Sequence, residues 1–287
     1  MQARTAWSFL LPTLVVLLLV AGYPLYQTLV LSFTNANILN PGVSPEGVGF
    51  ANYAYLFTDA TWWRAVLNTV IFTVSSVGVE LVVGLIIALV VNAEFRGRGL
   101  VRTAMLIPWA IPTVVAAQMW RWMYNDIYGV INDFFLRIGI LDAPVAWLAD
   151  PSVTLGAVIA VDVWKTTPFM ALLLLAGLQS IPKELYEAAR VDGANAWRQF
   201  WSVTWPLLLP AALVALIFRT LDALRVFDVI YVMTGSQIAT ISMSVYARQQ
   251  LVDFGDLGYG SAVSMVIFLI IGLFTVVYLM NLRMETD

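Results

Sequence analysis

The 287-residue sequence contains no histidine and no cysteine, and lysine occurs only at Lys165 and Lys183. Without histidine and cysteine the chain lacks the usual ligands of zinc sites and iron–sulfur clusters, the thiols of disulfides, and the base of a nucleophile–histidine triad. Neither lysine lies in a G-x-x-x-x-G-K-[ST] pattern, so the chain has no P-loop for ATP. We therefore expect no catalytic residue and no metal site in this chain.

Charged residues are also scarce, at 11% of the sequence, whereas the apolar set AVILMFWYC makes up 61%. A soluble domain is typically about 25% charged and about 45–50% apolar. The formal net charge of −3 gives nucleic-acid binding no electrostatic basis. This composition predicts an integral membrane protein.

Six apolar stretches are each long enough to cross a bilayer core of about 30 Å, which takes about 20 helical residues. The sequence therefore predicts an all-α membrane protein with six transmembrane helices in a single domain over residues 1–287. The first stretch is longer than the apolar region of a signal peptide, which favours a retained anchor. The predicted spans cover approximately residues 7–33, 62–92, 100–123, 152–178, 207–233 and 260–282.

Prolines lie inside several of the predicted spans, among them Pro108, Pro112 and Pro168. Proline removes a helix hydrogen bond and bends the helix. Such bends either line a cavity, as they do in many transporters, or are kinks in a packed bundle. The sequence alone is compatible with both.

The basic residues between the spans predict that both termini are cytoplasmic. In this orientation basic residues are concentrated on the cytoplasmic side, whereas the outer loops collect acidic residues. The cytoplasmic basic residues are Arg4, Arg96, Arg98, Arg102, Lys183, Arg190, Arg198 and Arg283, and the outer ones are Arg64, Arg137 and Arg248.

Several ionisable residues fall well inside the predicted spans. Each costs about 2.5–3.5 kcal/mol at a lipid-facing helix centre, so these side chains must face protein or water. At about 1.5 Å per residue, those of the second, fourth and fifth spans lie mostly near one level. They form either a polar pocket for a hydroxyl-rich solute such as a sugar, or ion pairs that fix helix register. The residues are Glu80, Asp162, Lys165, Arg219, Asp222, Arg225 and Asp228, of which the last two look more like register pairs.

The loop before the fifth span, residues 179–206, has the pattern of two short helices. Pro182 followed by the acidic Glu184 suits a helix start, and Gly193 ends that helix. A second short helix then places Trp197 and Trp201 on one face. Two short helices joined at a glycine predict a compact knob that fits the groove of a partner protein.

This loop also resembles a known family motif. Glu187-Ala188-Ala189, three residues, Gly193, nine residues, Val203, one residue and Trp205-Pro206 are similar to the E-A-A-x3-G-x9-I-x-L-P loop of bacterial ABC importer permeases. Valine replaces isoleucine, and tryptophan replaces leucine. Nearly the whole chain resembles the maltose/trehalose-type carbohydrate permeases of that superfamily. The supporting stretches are residues 50–53, 99–104, 163–170 and 219–228, the last of which looks like the trehalose-importing branch.

The resemblance implies a type I ABC importer permease fold with a cytoplasmic coupling helix within residues 184–205. It implies the transmembrane subunit of an ATP-driven, binding-protein-dependent carbohydrate importer for a disaccharide such as trehalose or maltose. Such a subunit is not an enzyme: it forms half of the translocation pathway with a second permease subunit, as a heterodimer. Two ATPase subunits bind ATP and Mg, and an extracytoplasmic protein delivers the sugar. The implied location is the bacterial or archaeal cytoplasmic (inner) membrane.

The resemblance also implies which residues carry these roles. Coupling to the ATPase falls on Glu184, Glu187, Ala188, Ala189, Asp192 and Gly193. Substrate binding falls on Asp162, Lys165, Thr166, Phe169, Arg219, Asp222, Ala223, Val226 and Tyr278.

An ion-coupled secondary transporter is the alternative. Its support is the series of arginine and aspartate residues in the fifth span, because intramembrane carboxylates can relay protons. The loop of residues 179–206 argues against it, since such a transporter needs no ATPase-docking motif.

Overall fold

The computed structural model of the chain describes residues 2–40, 42 and 44–284, with the side chains of 2–6, 8 and 281–284 outside that description. The side chains of Arg4 and Arg283, which contributed to the orientation argument, therefore lie outside the described residues. Over the described part the chain is helical, with no strand and only two isolated bridges, Thr34–Gly47 and Asn37–Asp256. The all-α prediction is confirmed.

The helices follow one another with short connections. In chain order they are α1 (Gln2–Leu17), α2 (Tyr23–Leu31), α3 (Ala51–Thr58), α4 (Ala60–Asn92), α5 (Arg98–Met105), α6 (Ile107–Ala110), α7 (Thr113–Met123), α8 (Val130–Arg137), α9 (Thr154–Gln179), α10 (Lys183–Val191), α11 (Ala196–Gln199), α12 (Trp205–Leu224), α13 (Asp228–Thr234), α14 (Met243–Arg248) and α15 (Leu257–Met284).

Five continuous helical segments are long and apolar enough to cross a membrane, and a bent pair supplies a sixth. The bent pair joins Arg98–Ala110 to Thr113–Met123 at an angle of 88°. Counted as one span, it brings the total to the six predicted. The continuous segments are Phe9–Leu31, Ala60–Asn92, Thr154–Gln179, Ala196–Leu224 and Leu257–Met280.

The bend in the third span has its cause in Pro112. A residue that precedes proline is pushed out of the α region, and Ile111 is extended with φ −71° and ψ 131°. Pro168 does not break its helix: α9 continues through it from Thr154 to Gln179. There the Thr167 hydroxyl donates to the carbonyl of Val163 at 2.6 Å.

Two further prolines follow π-helical turns. Pro24 comes after the turn Leu18–Gly22, and Pro206 comes after the turn Phe200–Thr204. The proline ring clashes with the carbonyl four residues earlier, which in both cases lies inside the π-helical turn. Local widening of the helix therefore accommodates each proline without a break. As a result the second helix of the loop is continuous with the fifth span, from Ala196 to Leu224, rather than a separate short helix.

The fifth span differs from its predicted extent of 207–233, because α12 ends at Leu224 and α13 starts at Asp228. The intervening backbone is unwound, with Arg225 at φ −105° and ψ 21°. The Val226 carbonyl accepts a hydrogen bond from the Ser242 hydroxyl at 2.8 Å, so the freed backbone group is satisfied. Irregular backbone at membrane depth is tolerated where it is satisfied in this way or lines a cavity.

The chain divides into two compact units, Met1–Trp63 with Met243–Val277 and Arg64–Ser242 with Tyr278–Asp287. The first unit is held by a hydrogen-bond network in which the Tyr246 hydroxyl donates to Asp59 and lies 2.9 Å from the Tyr259 hydroxyl. Gly258 lets the start of α15 pack against the loop after α2, since a Cβ there would lie 2.0 Å from the Thr34 carbonyl oxygen.

The core of the second unit is built where α9 packs against α4 and α12. Small residues allow the helix backbones to approach closely. A Cβ on Gly84 would lie 2.9 Å from Met170, and one on Gly177 would lie 2.6 Å from Ala211. This close packing brings the charged residues of the three helices within reach of one another.

Candidate functional site

Arg219 is the centre of a buried charge cluster, by which we mean Glu80, Asp162, Arg219 and Asp222. The Arg219 guanidinium binds Glu80 with Nε–Oε2 at 2.5 Å and Nη2–Oε1 at 2.8 Å. The same Nη2 lies 3.1 Å from Asp162 Oδ2, and Nη1 lies 2.6 Å from Asp222 Oδ2. Helices α4, α9 and α12 are thus joined through one side chain.

Geometry explains why arginine occupies this position. Its planar fork presents donors that match a carboxylate bidentately, which a lysine cannot do. Glu80 is fully buried, at 0% exposure, and needs every acceptor satisfied. The Thr166 hydroxyl contributes, since it lies 2.7 Å from Glu80 Oε1 and 2.6 Å from the Asp162 carbonyl oxygen.

The charge cluster forms part of the wall of a cavity of about 400 Å³, which we call the central cavity. Sites that enclose a small organic ligand span about 300–1,000 Å³. The carboxylates of the charge cluster differ in their exposure. The side chain of Asp222 is 57% exposed, that of Asp162 11% and that of Glu80 0%. The lining residues are Phe72, Trp109, Thr113, Asp162, Lys165, Thr166, Arg219, Asp222, Ala223, Arg225, Val226, Phe227, Asp228 and Val229.

The structure gathers most of the predicted substrate-binding residues at this cavity. Phe169 lies on a smaller pocket of about 240 Å³ that shares Trp109 and Asp222 with the central cavity, and its ring stacks on Trp109 at 5.8 Å. Tyr278 is elsewhere, with its hydroxyl donating to the Leu213 carbonyl at 2.6 Å. The predicted residues that line the central cavity are Asp162, Lys165, Thr166, Arg219, Asp222, Ala223 and Val226.

The intramembrane charges fall into two groups, those in buried ion pairs and those exposed at the cavity wall. Glu80 and Arg219 form a register-fixing ion pair. Arg225 and Asp228 do not, and that prediction was wrong because it assumed one continuous helix. Arg225 Nη2 lies 3.6 Å from Asp222 Oδ1 with its side chain 70% exposed, and Asp228 has no ion pair among the described residues.

Sequence reasoning missed the apolar wall of the central cavity. Trp109 and Thr113 reach the cavity because the third span bends between them, and Phe227 reaches it because the fifth span unwinds. Pro108 and Pro112 were a usable signal for the first of these, since broken helices in transporters often line the pathway.

The residues predicted to couple to an ATPase lie together on α10 and the turn after it. Glu184, Glu187 and Asp192 are exposed, and Gly193 has φ +77°, a conformation that favours glycine. Asn195 then caps α11 by accepting a hydrogen bond from the Arg198 amide at 2.9 Å. Ala188 and Ala189 lie on the same helix, with Ala188 exposed and Ala189 half-buried.

Two side-chain contacts connect this loop to the spans. The Tyr186 hydroxyl lies 3.1 Å from the Thr204 hydroxyl, in the π-helical turn within the segment Ala196–Leu224. Lys183 Nζ lies 2.9 Å from Glu94 Oε1, just after α4. Their hydrogen bond, with the Coulomb attraction, raises the pKa of Lys183 and lowers the pKa of Glu94.

A family model described as "Binding-protein-dependent transport system inner membrane component" matches residues 80–286. The trehalose/maltose transport system permease protein of Thermococcus litoralis is 43% identical, over 100% of this chain and 96% of its own length. The sulfoquinovosyl glycerol transport system permease protein of Agrobacterium fabrum is 41% identical, over 96% and 89%.

Solved structures agree on the fold. A bacterial ABC transporter involved in the import of the acidic polysaccharide alginate superposes with a TM-score of 0.84 at 23% identity, over 100% of this chain and 97% of the other. The predicted type I ABC importer permease fold and the resemblance behind it are confirmed. The chain belongs to the binding-protein-dependent transport system inner membrane components, the permease subunits of ABC importers.

Proposed function

We propose that the chain is a transmembrane subunit of an ATP-driven importer of neutral disaccharides such as trehalose or maltose, and that the sugar passes through the central cavity. The observation that carries this proposal is the charged wall of that cavity, which holds both donors and acceptors at membrane depth. Family membership leaves the ion-coupled alternative without support.

The chemistry of the lining suits a polyol. Asp222 is held by Arg219 through Oδ2. More than half of its side chain is exposed, so its carboxylate can accept hydrogen bonds from sugar hydroxyls. Lys165 adds a donor: its Nζ lies 3.5 Å from the Trp109 carbonyl and forms no ion pair in the described part of the chain. The rings of Trp109 and Phe227 offer apolar faces to the C–H face of a sugar ring.

The balance of charge supports a neutral sugar over an anionic one. Three carboxylates and three cations line the central cavity, so no excess of positive charge is present to attract an acidic sugar. The trehalose/maltose permease and the sulfoquinovosyl glycerol permease are similar to this chain to nearly the same degree. The balanced charge of the central cavity therefore supports a neutral sugar of the trehalose/maltose type over an acidic one. The charged residues are Asp162, Lys165, Arg219, Asp222, Arg225 and Asp228.

The same proposal assigns partners. The chain pairs with a second permease subunit, each contributing half of the pathway, and two ATPase subunits supply ATP hydrolysis with Mg. A solute-binding protein delivers the sugar on the outer side; a related alginate importer was solved in complex with a pentasaccharide-bound periplasmic protein. The exposed loop around Glu187 docks on the ATPase, and ATP binding shifts the populations of inward- and outward-open states. Both termini are cytoplasmic in this arrangement.

The test is uptake of ¹⁴C-trehalose and ¹⁴C-maltose by proteoliposomes that contain the importer, its ATPase and its binding protein. Asp222→Asn keeps the size of the side chain but weakens its hold on hydroxyls, so uptake falls by about tenfold or more. Asp142→Asn is the matched control, because Asp142 is an exposed loop residue outside the central cavity. Equal loss in both variants, or no uptake of either sugar by the unmodified importer, would sink the proposal.

A further inference from the structure

A second cavity lies between the end of α7, the loop before α9, and α13, and we call it the loop pocket. Its volume is about 230 Å³, below the about 300–1,000 Å³ typical of sites for larger ligands. A site of this size suits one sugar ring rather than two. Its lining residues are Arg121, Tyr124, Asn125, Asp126, Ala146, Trp147, Leu148, Ala149, Met233 and Gln237.

One wall of the loop pocket is held rigid by a buried amide. Asn132, which is 4% exposed, accepts hydrogen bonds at Oδ1 from Trp147 Nε1 at 2.8 Å and from the Val145 amide at 3.1 Å. Its Nδ2 donates to the carbonyls of Val145 at 3.0 Å and Asp126 at 3.3 Å. The Trp147 ring, 5.8 Å from that of Tyr124, is therefore positioned before any ligand arrives. Preorganisation of this kind lowers the entropic cost of binding.

The remaining wall carries polar groups of balanced charge. Arg121 and Asp126 contribute one cation and one carboxylate, and Asn125 and Gln237 contribute amides. The exposed side chains of Asp126 and Gln237 are open to a ligand. The loop pocket thus combines an aromatic surface with amides, and its one cation and one carboxylate give no net charge. Such a site suits a neutral ring rich in hydroxyls rather than an anion.

The loop pocket is built on the same helices as the central cavity. Helix α7 contributes Thr113 to the central cavity and Arg121 to the loop pocket, which are about 12 Å apart along the helix. Helix α13 contributes Val229 and Met233, which are about 6 Å apart. Arg121 Nη1 also lies 3.5 Å from the Val232 carbonyl, so the two helices are joined at the loop pocket.

We infer that the loop pocket is a second sugar subsite, which holds one ring of the transported sugar on the predicted outer side of the central cavity. The inference rests on the proposed function, since it concerns the same solute. It assigns Trp147 as the platform for the ring and Asp126 and Gln237 as hydrogen-bonding partners of its hydroxyls. The closeness of the two cavities gives the sugar a short path from one to the other.

The experiment is equilibrium dialysis of ¹⁴C-trehalose and of methyl α-D-[¹⁴C]glucoside, a single ring, against the purified membrane complex of permease and ATPase subunits. The loop-pocket variant is Asp126→Asn with Gln237→Ala. The central variant is Asp222→Asn. The matched control is Asp142→Asn with Gln179→Ala, a pair of exposed residues outside both cavities.

We expect methyl glucoside binding to weaken about tenfold in the loop-pocket variant and to change little in the central variant or the control. Trehalose binds at both sites, so each cavity variant removes one class of site and keeps the other. Loss of all sugar binding in the central variant alone overturns the inference and leaves the proposed function standing. Failure of the unmodified complex to bind either sugar overturns both. Binding of both sugars that is unchanged in the loop-pocket variant also overturns the inference.

Discussion

Two ion pairs in this permease join residues far apart in the sequence, and they differ mainly in burial. The pair of Arg219 with Glu80 has side chains that are 3% and 0% exposed, whereas the pair of Lys183 with Glu94 has side chains that are 83% and 77% exposed. The N–O distances, 2.5 and 2.9 Å, are similar. In the first pair, removal of one partner leaves a charge in a low-dielectric interior, and in the second it leaves a charge in water.

The two pairs also differ in what they join. The charge cluster links three helices and holds Asp222 at the cavity wall. The Lys183–Glu94 pair links an exposed loop to the end of α4. Because burial decides the cost of losing one partner, we expect two ion pairs of similar length to contribute very differently to stability.

The largest expected effect is that of Arg219→Met. Without the guanidinium, the carboxylates of Glu80 and Asp162 lose their buried cation, which costs about 3–5 kcal/mol of folding free energy. We expect a large loss of folded complex from membranes and a lower melting temperature in detergent. Arg219→Lys keeps the charge but not the fork, so its loss is smaller. A melting temperature unchanged in Arg219→Met contradicts the role of the cluster.

Glu187→Lys is expected to abolish transport while the membrane fold stays intact. Glu187 is exposed on α10, so its substitution disturbs no packing, but it reverses the charge of the surface proposed to dock on the ATPase. Co-purification of the ATPase and the melting temperature of the permease are the two readouts. Full transport and assembly in this variant would remove the coupling role of the loop.

Tyr246→Phe tests a contact of the first unit, between a buried tyrosine and the half-buried Asp59 carboxylate. Burial tends to raise the pKa of Asp59, but hydrogen bonds from Tyr246, Thr61 and the Trp62 amide outweigh it and lower the pKa. Loss of a hydrogen bond to a charged group costs about 1.5–3 kcal/mol. We expect a melting temperature lower by a few degrees.

The pH dependence of this variant provides a further check. Because the pKa of Asp59 is lower in the folded chain than its ordinary value of 3.8, its contribution to stability is present above that value and is lost as the pH falls through the folded-state pKa. The difference in melting temperature between the native chain and Tyr246→Phe therefore narrows in acid. A difference that grows as the pH falls contradicts this assignment.

The smallest expected effect is that of Glu94→Gln. Both members of the Lys183–Glu94 pair are exposed to water, which screens the interaction, so the melting temperature is expected to stay within experimental error. Uptake and ATPase activity are the companion measurements. A loss of stability comparable to that of Arg219→Met would end the distinction between the two pairs.

Helix geometry made the charge cluster predictable from the sequence. Because an α-helix rises about 1.5 Å per residue, counting from the span ends placed Glu80, Asp162 and Arg219 at one depth, and the structure joins them directly. The same counting extended the fifth span through Arg225, where the helix has ended. No local breaker marks that position, and the contact that satisfies it comes from Ser242, which is distant in sequence.

The bend of the third span was partly visible, because prolines at 108 and 112 weaken a straight helix. The direction of the bend, and therefore the presence of Trp109 in the central cavity, depends on packing against α9 and could not be read from the sequence. The loop pocket was invisible for a similar reason. Asn132 shapes it through contacts with residues 13 and 15 positions away, in a loop without periodicity.

The π-helical turn Phe200–Thr204 has a consequence for how the loop and the charge cluster are aligned. An α-helix turns by about 100° for each residue, and a π-helical turn holds one residue more than the corresponding α-helical turn. Helix α12 leads from this turn without interruption to Arg219. The wider turn takes up one extra residue with almost no net rotation, so deletion of one residue that restores regular α-helix here leaves Arg219 facing nearly the same direction relative to the loop. The widened turn therefore preserves the angular phase between the loop of residues 179–206 and the guanidinium that joins the three helices, although the segment holds one residue more than a regular helix would.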